Sequence, residues 1–277
     1  MHHTQLRISC APQLTEILIA ELSQAGFDTF LETENGLEAY AEEEKYDQHT
    51  IHEVLSKYEL TKSSDYSFQK IEKQNWNEQW EKSIHPIHIG DQCVIRADFH
   101  PPQPEIPYNI IITPKMSFGT GHHATTWLMV KTMFEMNFKN KIVMDVGCGT
   151  SVLSILAAKL GAQRVEAFDI DEWSVTNSEE NIKRNNVQHV NVAKGTIGTL
   201  NFSQKFDVLL ANINKNVILS ELNLYASHLV PGGYLLLSGF YEKDISDIYG
   251  VAGSFGFIET ARAQKEDWAV LLVKMKS

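Results

Sequence analysis

From Lys141 onward the chain repeats one pattern: a short apolar run, a turn, a helix-forming stretch, and another apolar run. "KIVMDVG" leads into "SVLSILAAKLG" and "RVEAFDID" into "EWSVTNSEENIKRNN"; "NVAKG", "FDVLLANI" and "GGYLLLSGF" follow. Strands that alternate with helices imply a parallel sheet with helices on both faces. The last two runs, near "IETARAQ" and "DWAVLLVKM", are separated by too little chain for a helical crossover. They are expected to form an antiparallel pair at the sheet edge.

In such a sheet, ligands bind beyond the carboxyl ends of the strands. After the first strand stands "DVGCGTS", with Asp145, Gly147 and Gly149. Glycine at 147 and 149 lets the backbone turn sharply and approach a ligand closely. The dinucleotide fingerprint needs a third glycine where this chain has Val152, which counts against NAD and FAD. After the second strand, "FDID" places Asp169 twenty-two residues beyond Gly147, where a carboxylate can accept both ribose hydroxyls. The plainer alternative is that Asp169 and Asp171 cap the next helix; ligand binding is assigned to Asp169 and capping to Asp171. After the fourth strand, "LLANINKN" sets Asn212 where the sheet turns back. Its amide offers both donors and an acceptor, although asparagine also shapes turns well.

The first seventy residues follow a different plan. "QLRISC" alternates like a strand. The next stretch sets Leu14, Ile17, Leu18 and Leu22 on one helical face, with Pro12 in the first turn and Gly26 closing it. Asn35-Gly36 signals a hairpin with a type I′ turn. A helix over 47–58 and a strand at "YSFQKI" complete the order βαββαβ, the ferredoxin-like arrangement. No catalytic cluster stands here, which points to binding. "KQNWNEQWEKS" reads as a short helix with Trp76 and Trp80 on one face, and "HPPQPEIP" as a loop between two strands of the second region. The expected boundaries are therefore 1–72, a linker helix over 73–85, and 86–277.

Composition narrows the function. The 277 residues carry a formal charge of −11, which argues against nucleic acid as the main partner and fits a basic one. No apolar run is long enough to cross a bilayer and no signal-peptide core opens the chain. Cys10, Cys93 and Cys148 are odd in number and far apart, as expected of reduced cytoplasmic thiols.

One segment resists the usual assignments: "PKMSFGTGHHATT", Pro114–Thr126. It is glycine-rich but lacks the Gly-Lys-Ser/Thr of a phosphate loop. His122 and His123 have no third ligand at a recognisable spacing, so no metal is expected; the pair is assigned to shaping the loop. The D-x-G-x-G loop, the aspartate ending the second strand, "LVPGGYLLLSG" and the antiparallel terminal pair resemble the Rossmann-like class I methyltransferases that use S-adenosylmethionine. "FGTGHHATT" before "DVGCGT", with "ANI" after the fourth strand, further resembles the PrmA family, bacterial enzymes that methylate ribosomal protein eleven of the large subunit.

That resemblance covers almost the whole chain. It implies an α/β fold, with a mostly parallel methyltransferase sheet and an antiparallel terminal strand, preceded by a small α+β ferredoxin-like domain for substrate recognition. It implies cofactor contacts at Thr126, Gly147, Asp169 and Asn212; Gly149 is assigned to the cofactor with them, Phe118 to shielding the sulfonium, and Asn212 also to orienting the substrate amine. The partner implied is a basic ribosomal protein, met by a cytoplasmic monomer that needs neither membrane nor direct nucleic-acid contact. Ser151 departs from the pattern, since the family commonly has glycine there, and "NINKN" puts Lys215 near the expected substrate entrance. Two rivals remain: a methyltransferase acting on another amine, and a cofactor-binding module without activity. Enzymes that methylate bases or glutamine carry Asn-Pro-Pro-Tyr at the position where this chain has Asn212-Ile213-Asn214-Lys215, with no aromatic to stack a flipped base.

Overall fold

In a computed structural model the chain divides into two units, Met1–Ser83 and Ile84–Ser277. The structure describes residues 3–33, 35–42, 45–62, 64–71, 84–113, 119, 121 and 123–277. The expected linker helix, with Trp76 and Trp80, lies outside them, as do Phe118 and His122.

The first unit is built from β1 (His3–Ser9), α1 (Pro12–Gln24), β2 (Thr29–Thr33), β3 (Gly36–Glu42), α2 (Gln48–Lys57) and β4 (Tyr66–Ile71). Its sheet has the order β2-β3-β1-β4 with every neighbouring pair antiparallel. β1 and β2 therefore run the same way with β3 inserted between them. Pro12 opens α1, where a missing N–H costs nothing, and Asp47 caps α2 by accepting from Thr50 N at 3.0 Å.

Two local expectations shift. On α1 the inward stripe runs through Thr15, Leu18, Leu22 and Ala25, while Ile17 is 45% exposed; the face is rotated from the one the apolar residues suggested. Gly36 is not a turn residue but the first residue of β3, paired with Thr33. Its φ is +146°, and a Cβ there would stand 2.0 Å from the Ile8 carbonyl oxygen. Close strand approach, rather than turn type, is what requires glycine.

The second unit opens with a small sheet of β5 (Ile87–Ile89), β6 (Cys93–Arg96) and β7 (Tyr108–Ile111), in which β7 pairs on one side only. "HPPQPEIP" connects β6 to β7, as expected. Next comes α3 (Ala124–Met133), buried nearly all round and so an interior helix. The alternating region follows as β8 (Ile142–Val146), α4 (Val152–Lys159), β9 (Arg164–Asp169), α5 (Glu172–Arg184), β10 (Val190–Lys194), β11 (Phe206–Asn212), α6 (Lys215–His228), β12 (Leu229–Tyr241), α7 (Ile245–Ser254), β13 (Phe257–Lys265) and β14 (Trp268–Met275).

The large sheet has the order β10-β9-β8-β11-β12-β14-β13. Strands from β10 to β12 are parallel, and β14 is antiparallel to both β12 and β13. Only β13 holds the edge; β14 lies one strand inside it. Side chains alternate between two apolar layers, as the two-residue strand period demands. Val143, Val208 and Leu210 face one cluster, while Met144, Leu209 and Ala211 face the other. Leu210 is fully buried, and truncating such a leucine to alanine costs about 2–5 kcal/mol. From β8 the chain runs outward through β9 to β10 and then crosses back to β11 on the other side of β8, and that reversal opens a crevice at the carboxyl ends of β8 and its neighbours.

Candidate active site

A cavity of about 430 Å³ occupies this crevice, lined by Gly147, Gly149, Asp169, Ile170, Asn212 and Val217 among others. Four of the six residues expected at the site thus surround one space. Gly147 and Gly149 have φ of +64° and +55°, the left-handed region that glycine enters without penalty. A Cβ on Gly147 would meet Ile213 Cγ2 at 2.5 Å. The glycine therefore also makes room for the segment leaving β11.

Asp169 ends β9, half-buried. Its Oδ2 accepts from Gly149 N at 2.9 Å and its Oδ1 from Asp171 N at 3.0 Å. Each carboxylate oxygen can accept a second bond, so Asp169 can fix the glycine loop and still take ribose hydroxyls. Asp171 caps α5 by accepting from Ser174 N at 3.0 Å, the role assigned to it. Ile170 beside them is 71% exposed and offers an apolar surface to a flat ring.

Asp145, at the end of β8, is buried and accepts from both Ser154 N (3.1 Å) and Ser154 Oγ (2.5 Å), tying the strand to the first turn of α4. Burial pushes its carboxyl up to about 7, against the two Ser154 hydrogen bonds and with a smaller push from the Asp169 charge. Ser151 caps α4 with φ 60° and ψ 22°. It is fully buried, and among the described residues its hydroxyl has no partner at good hydrogen-bond geometry. A glycine would meet both demands of that position; the serine leaves both unmet.

Asn212 ends β11. Its Nδ2 donates to Thr126 Oγ1 at 3.3 Å, and its Oδ1 is buried without a partner among the described residues. Thr126 is itself fully buried on α3 and meets the cavity through Asn212. His123 is the N-cap of α3: its Nδ1 accepts from Thr125 N at 3.3 Å, and its ring packs edge-on against Trp268 at 4.6 Å. It thereby caps the start of α3. Gly119 has its carbonyl 2.7 Å from Thr150 Oγ1, which donates to it, so Gly119 is moored to the glycine loop. Lys215 is committed elsewhere, paired with Asp244 at 2.8 Å and Asp247 at 2.7 Å. Among the described residues no His, Cys, Asp or Glu cluster could hold a metal ion.

Sequence reasoning missed the polar face of α5. Ser178 Oγ donates to the Gly149 carbonyl (2.7 Å) and Asn181 Nδ2 to the Thr150 carbonyl (3.1 Å), both from buried positions. The signal was present as serine and asparagine at 174, 177, 178, 181 and 185, one helical stripe on a helix whose buried side should have been apolar.

The residues fit S-adenosylmethionine: a cavity at the strand-order reversal, a carboxylate placed for a ribose, glycines that admit close approach, and an orphaned acceptor at Asn212. The family profile described as "Ribosomal protein L11 methyltransferase (PrmA)" matches residues 12–276. A ribosomal protein L11 methyltransferase of Phocaeicola vulgatus is 39% identical over 269 residues, covering 96% of each chain. One from Porphyromonas gingivalis is 41% identical over 258 residues, covering 92% of this chain and 89% of that one. The crystal structure of a ribosomal protein L11 methylase from Lactobacillus delbrueckii subsp. bulgaricus aligns with a TM-score of 0.64 at 28% identity, over 70% of this chain and 100% of that one. Fold, site geometry and near-full-length similarity converge: this chain belongs to the ribosomal protein L11 methyltransferase (PrmA) family.

Proposed function

We propose that this protein is an S-adenosylmethionine-dependent methyltransferase that acts as a cytoplasmic monomer on amines of large-subunit ribosomal protein eleven: lysine side chains, the N-terminal amine, or both. The observation that carries the chemistry is the unpartnered Oδ1 of Asn212, a buried acceptor at the end of β11 beside the cavity. When bound, the cofactor supplies an electrophilic methyl group. Everything else is positioning, which contributes up to roughly 7–11 kcal/mol when reacting atoms are held near contact.

An amine attacks only when neutral, and a free lysine loses its proton near pH 10.4. After that proton leaves to solvent, Asn212 Oδ1 accepts one of the remaining N–H bonds and orients the nitrogen lone pair. Thr126 keeps the amide from rotating by accepting from its Nδ2. Asp169 takes the ribose hydroxyls, and Gly147 and Gly149 admit the cofactor backbone-close.

Recognition of the target is assigned to the first unit. Residues 1–83 hold 16 acidic and seven basic side chains, whereas residues 84–277 hold 19 and 17. Nearly all the net negative charge that would attract a basic ribosomal protein therefore sits on the first unit. Mass spectrometry of ribosomal protein eleven, after incubation with the enzyme and S-adenosylmethionine, tests the reading. Whole-methyl increments on its amines are expected. No increment, while the cofactor demonstrably binds, would discard this substrate; Asn212→Ala retaining full turnover would discard the role of Asn212.

A further inference from the structure

Among the described residues β7 pairs with a strand on one side only, and side chains of α5 and its C-cap Asn185 cover the other. Ile111 N donates to Asn185 Oδ1 at 2.8 Å, and Asn185 Nδ2 donates back to the Ile111 carbonyl at 2.6 Å. Two residues on, Thr113 N donates to Asn181 Oδ1 at 3.0 Å. The match has a simple metric origin. Four residues of helix rise about 6.0 Å, and two residues of strand span about 6.6 Å. Asparagines one turn apart on a helix can therefore serve successive outward-facing amides of an extended strand, in place of a neighbouring strand.

Asn181 does one thing that Asn185 does not. Its other amide group donates to the Thr150 carbonyl in the glycine loop, and Thr150 in turn donates its hydroxyl to the Gly119 carbonyl. Thr113 and Gly119, on either side of the start of the "SFGTGHHATT" segment, are thus both referenced to Thr150. A Cβ on Gly119 would lie 2.8 Å from Thr150 Oγ1, so the contact is close as well as bonded. Asn181 and Thr150 are fully buried, and neither lines the cavity.

We propose that Asn181 is a positioning residue for methyl transfer: it sets the spacing between Thr113, just past β7, and the glycine loop at Thr150, and hence the grip on the cofactor. It does so without touching the cofactor or the substrate. The inference rests on the cofactor reading of the cavity.

The test uses the full chain and three variants: Asn181→Ala, Thr150→Val, which removes the hydroxyl tie at nearly constant shape, and Asn185→Ala as the matched control on the same strand edge. Affinity for S-adenosylhomocysteine is measured by calorimetry, and kcat and KM for S-adenosylmethionine are measured with ribosomal protein eleven. Asn181→Ala and Thr150→Val are expected to weaken S-adenosylhomocysteine binding about tenfold and to raise the cofactor KM in parallel. Asn185→Ala should lower the melting temperature while leaving both constants within about twofold. If Asn181→Ala and Thr150→Val bind as the parent does, or if Asn185→Ala matches their loss, the positioning role is wrong and the helix merely braces the strand. Thr150→Val keeps the comparison decisive should Asn181→Ala fold poorly. A parent chain that binds S-adenosylhomocysteine but methylates nothing would discard the substrate, and the binding arm would still decide the role of Asn181.

Discussion

The two units spend their polar residues in opposite ways. In the first, charge faces outward and the described interior is almost wholly apolar, with Thr4, Gln5 and Thr15 its buried polar residues. The second is nearly neutral in charge, yet it buries Thr126, Asp145, Thr150, Ser151, Ser178 and Asn181 around one crevice. Burying a polar group costs free energy unless it is hydrogen-bonded, so such a concentration marks where geometry matters more than stability. A surface that recruits a charged partner needs no such interior.

The contrast predicts that the second unit responds to pH through its interior. The native Asp145 carboxyl is raised to about 7, so between pH 5 and 7 the folded state holds close to one more proton than the unfolded chain. The stability it contributes is full below the unfolded value near 4 and is lost as pH rises through 7. The slope is about 1.4 kcal/mol per pH unit, or roughly 3 kcal/mol from pH 5 to 8. Asp145→Asn keeps an acceptor for Ser154 and should flatten the profile; urea unfolding of both proteins at pH 5 and pH 8 measures the difference.

Asp169→Ala removes the ribose acceptor and the anchor of Gly149 together. Calorimetry should show cofactor affinity falling about 100-fold, since bonds to charged groups contribute roughly 1.5–3 kcal/mol. On the first unit, Glu16, Asp28, Glu32 and Glu59 are exposed. Changing all four to their amides should lower kcat/KM for the ribosomal protein about tenfold at low salt and leave cofactor binding unchanged. An equal loss of cofactor affinity would break the division of labour. The smallest effect should be a gain. Ser151→Gly relieves a left-handed φ that costs roughly 1–2 kcal/mol and removes an unpartnered hydroxyl, so melting temperature should rise by about 2–4 °C.

Most of the frame was legible in the sequence because the strands of the second unit announce themselves twice, by apolar runs and by what ends them. Asp145, Gly147, Asp169 and Asn212 were legible because each stands at or just past the end of a strand, and parallel strands end on one side. What escaped depends on contacts between distant segments. Nothing near Gly36 reveals that Ile8 passes within 2.0 Å of its missing Cβ. Nothing near Asn181 shows that its stripe meets a strand edge 68 residues earlier. Ile17 was misread because helical periodicity fixes the spacing of a buried face but not which rotation wins.

The placement of β14 bears on when the enzyme comes into being. It is the last strand of its sheet to leave the ribosome, yet it sits between β12 and β13 and completes the ladders of both. While it is still in the exit tunnel, β12 and β13 each present an open edge and cannot reach one another. The sheet is therefore closed from within by its last-made strand, and neither of the two ladders can be completed before that strand is made.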